Sequence, residues 1–237
     1  MDKSLEEESG TGRVFFVSGI DTDVGKTVVT GLMAHALAAA GIDAITVKMV
    51  QTGCEDASED LTAHRSMCGL GLQPEDAAGF TAPQIFKFPS SPSLAARLEG
   101  RCVDLRRIEE CVDECARRRE IVLVEGAGGM LVPLSDDVLA ADFAAGQGWP
   151  LILVTCGRLG SVNHTILSLE AAKSRGMHVA GVVHNWHADA DPTIDADAER
   201  ETRRCLARLG FPDVVVRVPH VEKGRVLPQV DFSEIFS

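Results

Sequence analysis

The stretch Val14-Phe-Phe-Val-Ser-Gly-Ile-Asp-Thr-Asp-Val-Gly-Lys-Thr27 decides the fold of this chain. It begins as an apolar run, typical of a buried parallel strand, and ends in Gly-Lys-Thr where an Ala- and Leu-rich helical segment begins. A strand, a tight loop and a helix in this order present free N–H groups and the positive end of a helix dipole to an anion. The stretch therefore predicts a loop that binds phosphate.

This loop departs from the common Gly-x₄-Gly-Lys-[Ser/Thr] pattern, because Ile20 stands at the first glycine position and Gly19 lies one residue earlier. We expect Lys26 to reach the β- and γ-phosphates of a nucleotide and the Thr27 hydroxyl to coordinate Mg²⁺. The alternative is a helix start that contains Gly-Lys-Thr by chance. The residues expected to surround the phosphates are Asp23, Val24, Gly25, Lys26, Thr27 and Val28.

Strand-like and helix-like patterns alternate from this loop onward, without a repeat or a low-complexity linker. Strands are predicted at 14–18, 44–50, 121–124, 151–155, 179–183 and 214–218, and helices at 27–40, 58–68, 104–119, 139–147, 163–174 and 195–209. The alternation predicts an α/β fold: a P-loop, doubly wound, mostly parallel sheet with helices on both faces. We expect a flexible N-terminal tail over residues 1–12 and a single domain over residues 13–237.

The composition of the chain limits the kinds of partner that it can bind. Lys and Arg number 23 against 35 Asp and Glu, a net charge of −12, and so acidic a surface repels phosphate backbones. No apolar run approaches the ~20 residues of a membrane helix, and the acidic start of the chain lacks a secretory signal. We therefore expect no nucleic-acid partner, no membrane insertion and a cytoplasmic location. The seven cysteines contain no Cys-x-x-Cys pair and should be reduced thiols.

Polar residues at the strand ends are the next candidates, since ligands of such sheets bind there. Lys48 lies near the end of an apolar strand, where a buried lysine needs an anionic partner. The alternative is an edge-strand lysine that points to solvent. Glu125 opens a glycine-rich run after four apolar residues and is either a second acid linked to Mg²⁺ or a turn glutamate. Asp60 is a third acid, which the pattern does not separate from Glu55, Asp56 or Glu59.

A second anion site is predicted at Gly157-Arg-Leu-Gly-Ser-Val-Asn-His164, where one strand ends and a helix begins. Free N–H groups at that helix start suit a carboxylate. His164 could be a catalytic base, or a cap or solvated residue at the start of the helix. His184 and His187 have no third ligand at useful spacing, so we interpret them as loop residues and not as zinc ligands.

Together these strand-end segments resemble the dethiobiotin synthetases, which close the ureido ring in biotin biosynthesis. The matching segments run in family order over nearly all of the chain after residue 12. They are Gly19–Thr27, Lys48-Met-Val-Gln-Thr-Gly53, the Asp60 region, Ser90-Ser-Pro-Ser93, Glu125-Gly-Ala-Gly-Gly129, Leu159-Gly-Ser-Val-Asn-His164 and Gly181-Val-Val-His-Asn185.

The resemblance implies an ATP- and Mg²⁺-dependent cyclo-ligase. 7,8-Diaminononanoate takes up CO₂ as a carbamate, ATP phosphorylates the carbamate, and the second amine attacks the mixed anhydride, which closes the ring and releases phosphate. Lys26 and Lys48 match catalytic residues that stabilise charge on the phosphoryl group and the carbamate, which suits a loose phosphoryl transition state. By the same match, Mg²⁺ is held by Thr27, Asp60 and Glu125.

Binding residues also follow from the resemblance. Thr52 would contact the carbamate, and the Gly160 loop would bind the substrate carboxylate across the two-fold interface of a homodimer. Asn185 would read the adenine. The full set of nucleotide contacts beyond the phosphate loop is Asp60, Glu125, Gly126, Ala127, Gly128, Asn185, Trp186, Pro219, His220 and Val221. The substrate contacts are Thr52, Ser91, Gly160, Ser161, Val162 and Asn163.

Three positions depart from the family pattern. Ile20 replaces a small or hydroxyl residue, and Asp23 stands where Glu is common, but neither removes a backbone donor. Met49 replaces a proline that often follows the lysine, so the turn after Lys48 is less rigid. The segment from Pro219 diverges, which leaves the choice between ATP and another nucleoside triphosphate open.

Competing functions come from the same superfamily. A ParA/MinD-type ATPase switch carries an extra lysine early in its loop, where this chain has Asp21, and usually a basic or membrane-binding face. An ATP-dependent cobyrinate amidating enzyme needs a glutaminase domain for which 237 residues leave no room. A pure binding module would not need Lys48, Thr27 and Glu125 at one phosphate.

Overall fold

The computed structural model describes residues 12–186, 190–221 and 226–237. The eight strands within these residues are β1 (Arg13–Gly19), β2 (Ala44–Lys48), β3 (Gln51–Thr52), β4 (Ile85–Phe86), β5 (Ile121–Gly129), β6 (Leu151–Cys156), β7 (Val179–Asn185) and β8 (Val215–Val218). The helices are α1 (Lys26–Ala39), α2 (Glu59–Met67), α3 (Pro74–Ala77), α4 (Pro92–Leu98), α5 (Leu105–Ala116), α6 (Ala140–Gly146), α7 (Ser161–Ser174) and α8 (Pro192–Leu209), with a final 3₁₀ turn at Ser233–Phe236.

The main sheet has six strands in the order β2-β5-β1-β6-β7-β8, and every pairing in it is parallel. The chain moves one way along the sheet from β1 to β2 and the other way from β2 through β8. Because crossovers between parallel strands are right-handed, this reversal puts α1 and α5 on opposite faces. The predicted doubly wound α/β fold is confirmed.

The reversal of direction also locates the ligand cleft. β1 lies between β5 and β6, so the loop after β1 opens at the point where the strand order changes direction.

The central strands are buried on both faces and therefore appear in the sequence as continuous apolar runs, as in Ile121–Val124 and Leu151–Val154, all at most 2% exposed. The six predicted strands and six predicted helices are all present, with ends shifted by a few residues.

Two strand ends differ from the prediction. β2 stops at Lys48 and not at Val50. Met49 N still donates to Glu125 O of β5 at 2.9 Å, but Gln51 N donates to Gln84 O, just before β4, at 2.9 Å. β5 continues through its glycines to Gly129, so Glu125 lies inside a strand and not in a turn.

The stretch between β2 and α5, irregular by sequence, folds into short elements that cover the sheet edge. β3 pairs with β4, and Lys48 N donates to Thr81 O at 2.7 Å, which occupies the outer edge of β2. Ser58 caps α2 by accepting the Leu61 N–H at 3.1 Å. This covering layer is the reason that an edge-strand lysine can be buried here.

Three further predictions concern the rest of the chain. The predicted tail lies outside the described residues except for Gly12, whose N–H donates to Ala116 O at 2.8 Å. All seven cysteines are free, and Cys111 and Cys115 share one buried face of α5. In the described part of the chain, none of the helices has both the length and the hydropathy that crossing a bilayer requires.

Candidate active site

The phosphate loop runs from β1 into α1 in the predicted register. Gly25 is the N-cap of α1, with φ of 89°, a left-handed conformation that favours glycine. A Cβ at this position would lie 2.1 Å from Asn185 Nδ2, so the close approach of β7 also requires glycine. Asn185 Nδ2 donates to Val24 O at 3.0 Å. The end of β7 thus holds the loop in place from the side where a nucleotide base is expected.

Lys26 lies at the start of α1 with its side chain largely buried. Its Nζ donates to the Asp21 carbonyl at 2.9 Å, so the ammonium folds back over the loop. Burial, together with the nearby Lys48 ammonium, lowers the pKa of Lys26 to about 8, although Glu125 and two aspartates act in the opposite direction. Because burial destabilises its charged form, the Lys26 ammonium is stabilised when a phosphate binds beside it.

The four other predicted charged and metal-binding groups meet beside this lysine. The sheet register sets Lys48 of β2 opposite Glu125 of β5. Lys48 Nζ lies 2.8 Å from Glu125 Oε1 and 2.6 Å from Asp60 Oδ2. Thr27 Oγ1 donates toward Asp60 Oδ1 at 3.0 Å and toward Glu125 Oε1 at 3.1 Å. Of the acids that the sequence could not separate, the phase of α2 therefore selects Asp60.

Mutual attraction keeps this cluster charged. Burial would raise the pKa of the Glu125 carboxyl, but the Lys48 ammonium and the contact with His64 outweigh it and hold that pKa well below its usual range. Burial would lower the pKa of Lys48, but Glu125 and Asp60 raise it above its ordinary value. Neither predicted alternative holds: Lys48 is 5% exposed and Glu125 is 0% exposed.

The donor set fits a hard divalent cation. A hydroxyl oxygen and two carboxylate oxygens, from Thr27, Asp60 and Glu125, converge within hydrogen-bonding distance of one another, and Mg²⁺ is bound by such oxygens together with substrate phosphates. Within the described ranges, no group of three or more His, Cys, Asp or Glu side chains could hold a metal by itself. This arrangement suits an ion that completes its coordination on a nucleotide.

The two residues predicted to contact substrate beyond this cluster lie in the covering layer. Thr52 is in β3, and Ser91 is the residue before α4. Gly53 N donates to Phe86 O at 2.9 Å, and a Cβ at Gly53 would lie 3.2 Å from Pro89 Cβ. The loop after Thr52 therefore packs against the segment that leads to Ser91, and both residues are partly exposed.

The second predicted anion site lies at the start of α7. Gly160 is the N-cap with φ of 92°, and no side chain caps the helix. The Ser161 hydroxyl is buried without a hydrogen-bond partner in the described structure, while Val162 and Asn163 are partly or fully exposed. Free N–H groups and an unpaired hydroxyl leave this helix start able to bind an anion.

An ion pair joins that helix start to the phosphate loop. The guanidinium of Arg158 contacts the Asp21 carboxylate, and His164 Nδ1 lies 3.7 Å from the same group. The Thr22 N–H and the Arg158 cation lower the pKa of Asp21. Asp21, Thr22 and His164 also border a cavity of about 380 Å³. His164 thus lies at the edge of the cleft and contacts an acid rather than a nucleophile.

The predicted base-binding residues lie at the ends of β7 and β8. Asn185 ends β7, and Trp186 N donates to Val218 O at 2.9 Å. Trp186, Pro219, His220 and Val221 are each exposed or partly exposed. Gly126, Ala127 and Gly128 belong to β5, with the phosphate loop as neighbour: Gly19 pairs with Gly129 in the register of β1 and β5. These residues share one edge of the sheet.

Two buried histidines have roles that sequence reasoning missed. His184 is not a loop residue as predicted: it lies in β7, fully buried, with Nε2 2.7 Å from Asp195 Oδ1. His187 lies outside the described residues. His64 was not singled out, yet its Nε2 lies 2.9 Å from Glu125 Oε2. Its position four residues after Asp60, on the same face of α2, is the signal that could have identified it.

The chain is similar to known proteins over most of its length. A family model described as "AAA domain" matches residues 13–226. ATP-dependent dethiobiotin synthetase BioD of Chlorobaculum tepidum is 45% identical over 211 residues, which cover 89% of this chain and 88% of the relative. A dethiobiotin synthetase of Haemophilus influenzae is 46% identical and covers 76% of this chain and 94% of its own length.

Among solved structures, a ParA family ATPase from Chlorobium tepidum superposes with a TM-score of 0.51 at 16% identity, over 89% of this chain and 85% of that chain. At that identity the likeness concerns the fold alone. The sequence relatives carry the narrower similarity.

Proposed function

The chain belongs to the ATP-dependent dethiobiotin synthetases, ligases of biotin biosynthesis that use ATP as co-substrate, and from this membership we propose how its residues divide the reaction. The substrates are 7,8-diaminononanoate, CO₂ and ATP. The observation that carries the proposal is the convergence of Lys48, Asp60, Glu125 and Thr27 beside the phosphate loop. Such a cluster is suited to a phosphoryl group moving between two anionic oxygens.

The chemistry balances in three steps. One amine of the diamine attacks CO₂, loses a proton and becomes a carbamate. A carbamate oxygen attacks the γ-phosphorus of ATP, and ADP leaves. The second amine then attacks the carbonyl carbon of the mixed anhydride and loses a proton, the bond from that carbon to the phosphoryl oxygen breaks, and phosphate departs as the ring closes. Nothing in this sequence needs a protein nucleophile, so positioning and charge are what the chain must supply.

Two lysines supply positive charge to the transferred group. Lys26, now held by the Asp21 carbonyl, turns to the β- and γ-phosphates. Lys48 approaches the carbamate and the γ-phosphate, and to do so it gives up at least one of its contacts with Asp60 and Glu125. Thr27, Asp60 and Glu125 hold Mg²⁺. When bound, Mg²⁺ supplies neutralisation of phosphate charge.

The other assignments follow the same division. Asp23 through Val28 and Gly126 through Gly128 surround the phosphates, and Asn185, Trp186 and the 219–221 segment hold the base. Thr52 and Ser91 contact the carbamate end of the diamine. Support comes from their shared edge of the sheet and from the covering layer that packs beside Lys48.

We also propose that the enzyme is a homodimer in which Gly160, Ser161, Val162 and Asn163 bind the substrate carboxylate of the facing protomer. Leu159 is 86% exposed, Leu167 is 55% exposed and Leu131 is 47% exposed, and the last two border the cavity beside Asp21. Large apolar side chains grouped around a ligand cleft are typical of a protein interface.

The ParA/MinD-type alternative has no support at this site. The position of the extra loop lysine in that class is Asp21, which pairs with Arg158. The direct test measures phosphate release from Mg-ATP and bicarbonate, with and without the diamine, and the mass of the product. Diamine-dependent release with a dethiobiotin mass supports the proposal. Slow release that ignores the diamine would instead indicate a partner-stimulated ATPase.

A further inference from the structure

The two oxygens of Glu125 have different partners. Oε1 accepts from Lys48 Nζ at 2.8 Å and from Thr27 Oγ1 at 3.1 Å. Oε2 has no hydrogen-bond partner in the described part of the chain, and it lies 2.9 Å from His64 Nε2. Both side chains are 0% exposed, so no solvent can replace that contact. The two atoms are close but poorly aligned for a hydrogen bond, as catalytic contacts often are before substrate binds.

His64 reaches Glu125 because of its place on α2. It follows Asp60 by four residues, so the helix directs both side chains to the same neighbour on β5. Asp60 contacts Lys48 and Thr27 on the cleft side, while His64 approaches the carboxylate from inside the protein. One helix thus presents a metal-binding acid and, one turn later, a support for the second acid.

Polar contacts behind the ring fix its orientation. His64 Nδ1 lies 3.0 Å from Thr46 Oγ1, and Arg65 Nη1 donates to the same hydroxyl at 2.7 Å. Because this hydroxyl accepts from Arg65, its own proton can be donated to His64 Nδ1, which leaves Nε2, the nitrogen nearer Glu125, as the one that carries a proton. Arg65 is itself held by a bidentate pair with Asp76, at 2.9 and 2.7 Å.

We propose that His64 is a positioning residue for the reaction. It holds the Glu125 carboxylate by Oε2, which directs Oε1 toward Thr27 and the Mg²⁺ site. The inference rests on the proposed function, since it gives a purpose to a ligand assigned there. Partners of this kind, which orient a metal-binding carboxylate from behind, set metal affinity as strongly as some ligands do. Without His64, buried Oε2 also loses its close contact with the ring nitrogen, and the carboxylate is free to turn.

The test compares His64→Leu, which removes the donor, with His64→Gln, which keeps an N–H donor on a side chain of similar reach. Calorimetry of ADP binding at increasing Mg²⁺ concentration gives metal affinity without turnover. Steady-state kinetics separates kcat from KM. We expect His64→Leu to weaken apparent Mg²⁺ affinity and kcat by about tenfold or more, to change the KM for the diamine little, and to be rescued to within about threefold by His64→Gln.

Glu75→Ala controls for loss of stability. Glu75 is a buried acid paired with Arg119 at 2.8 Å and contacts none of the site residues among its hydrogen bonds. The Glu75→Ala variant should have a lower melting temperature and an unchanged Mg²⁺ affinity. Mg²⁺ affinity and kcat of His64→Leu within twofold of the parent would overturn the proposal, and so would equal losses in His64→Gln. If His64→Leu does not fold, His64→Asn replaces it in the comparison with His64→Gln, because the Asn side chain is too short to bring its donor to Glu125. Failure of the proposed function would appear in the parent enzyme, not in these variants.

Discussion

Lys26 is the residue whose charge should respond to pH near neutrality. Its pKa of about 8 means that the ligand-free side chain is charged at lower pH and loses its proton as the pH rises through that value. Bound phosphates favour the charged form. Nucleotide binding at pH 8 should therefore take up about half a proton per site, and almost none at pH 6.

Calorimetry of ATP binding in buffers of different ionisation enthalpy measures this uptake. Lys26→Arg is the matched control, because a guanidinium stays charged throughout this range. The uptake should disappear in that variant. Equal proton uptake at pH 6 and pH 8 in the parent would show that the pKa of Lys26 is not lowered to about 8.

Lys48 carries a second residue-level prediction. Lys48→Ala and Lys26→Ala should each abolish turnover, with kcat lowered at least about 100-fold, because charge on the transferred group is no longer balanced. Lys48→Ala should also lower stability, since Glu125 and Asp60 lose their buried counterion. The control is Lys87→Ala, an exposed lysine 3.7 Å from Glu55. Assays of dethiobiotin formation with thermal melts test both effects, and near-parental turnover in either site variant would refute its role.

The sequence alone identified those site residues whose role is evident from their neighbours along the chain. Gly25, Lys26 and Thr27 were predicted because strand, loop and helix follow one another directly. Asp60 needed the resemblance, because helical phase and not composition distinguishes it from Glu59. His64 was missed because its partner Glu125 is 61 positions away in sequence, and only the folded register brings them together.

At the scale of elements, α8 is anchored to β7 through Asp195. Its Oδ1 lies 2.7 Å from His184 Nε2 and its Oδ2 lies 3.2 Å from Arg217 Nη2. A Cβ at Gly157 would lie 2.1 Å from the same carboxylate, so Asp195 also supports the turn after β6. Asp195→Ala should lower the free energy of unfolding by about 3 kcal/mol, because it leaves a buried histidine without its partner.

Urea denaturation measures that loss, with Arg204→Ala as control on the same helix. Arg204 forms an exposed pair with Glu201, and pairs of this kind contribute about 0.5 kcal/mol or less. Similar losses in the two variants would mean that the buried pair does not anchor α8.

Element boundaries show where pattern reasoning stops. The apolar run Ala44–Val50 predicted one continuous strand, but β2 ends at Lys48, and by Gln51 the backbone bonds to Gln84, before β4, instead of to β5. Side-chain periodicity cannot show such a change of partner. The strand was predicted to end at Val124, before the glycines, yet these residues extend β5, and Gly129 pairs with Gly19 of β1.

At the scale of the whole molecule, the exposed leucines beside the cleft predict an interface. Leu159→Asp and Leu167→Asp should shift the enzyme toward a monomer in analytical ultracentrifugation at micromolar concentration and raise the KM for the diamine, because each site would lose the facing protomer's loop. Leu72→Asp, at a side chain 85% exposed away from these residues, should do neither. A monomeric parent would contradict the dimer.

The most direct test of the account follows oxygen from carbon dioxide. If a carbamate oxygen attacks the γ-phosphorus, the phosphate released on ring closure keeps that oxygen. The reaction is run in ordinary water with the diamine, Mg-ATP and freshly added ¹⁸O-labelled CO₂, and the phosphate is analysed by mass spectrometry at short times. Attack by a carbamate oxygen predicts one labelled oxygen in each phosphate, in step with dethiobiotin formed. Phosphate without label would mean that water, and not a carbamate, attacks ATP at this site.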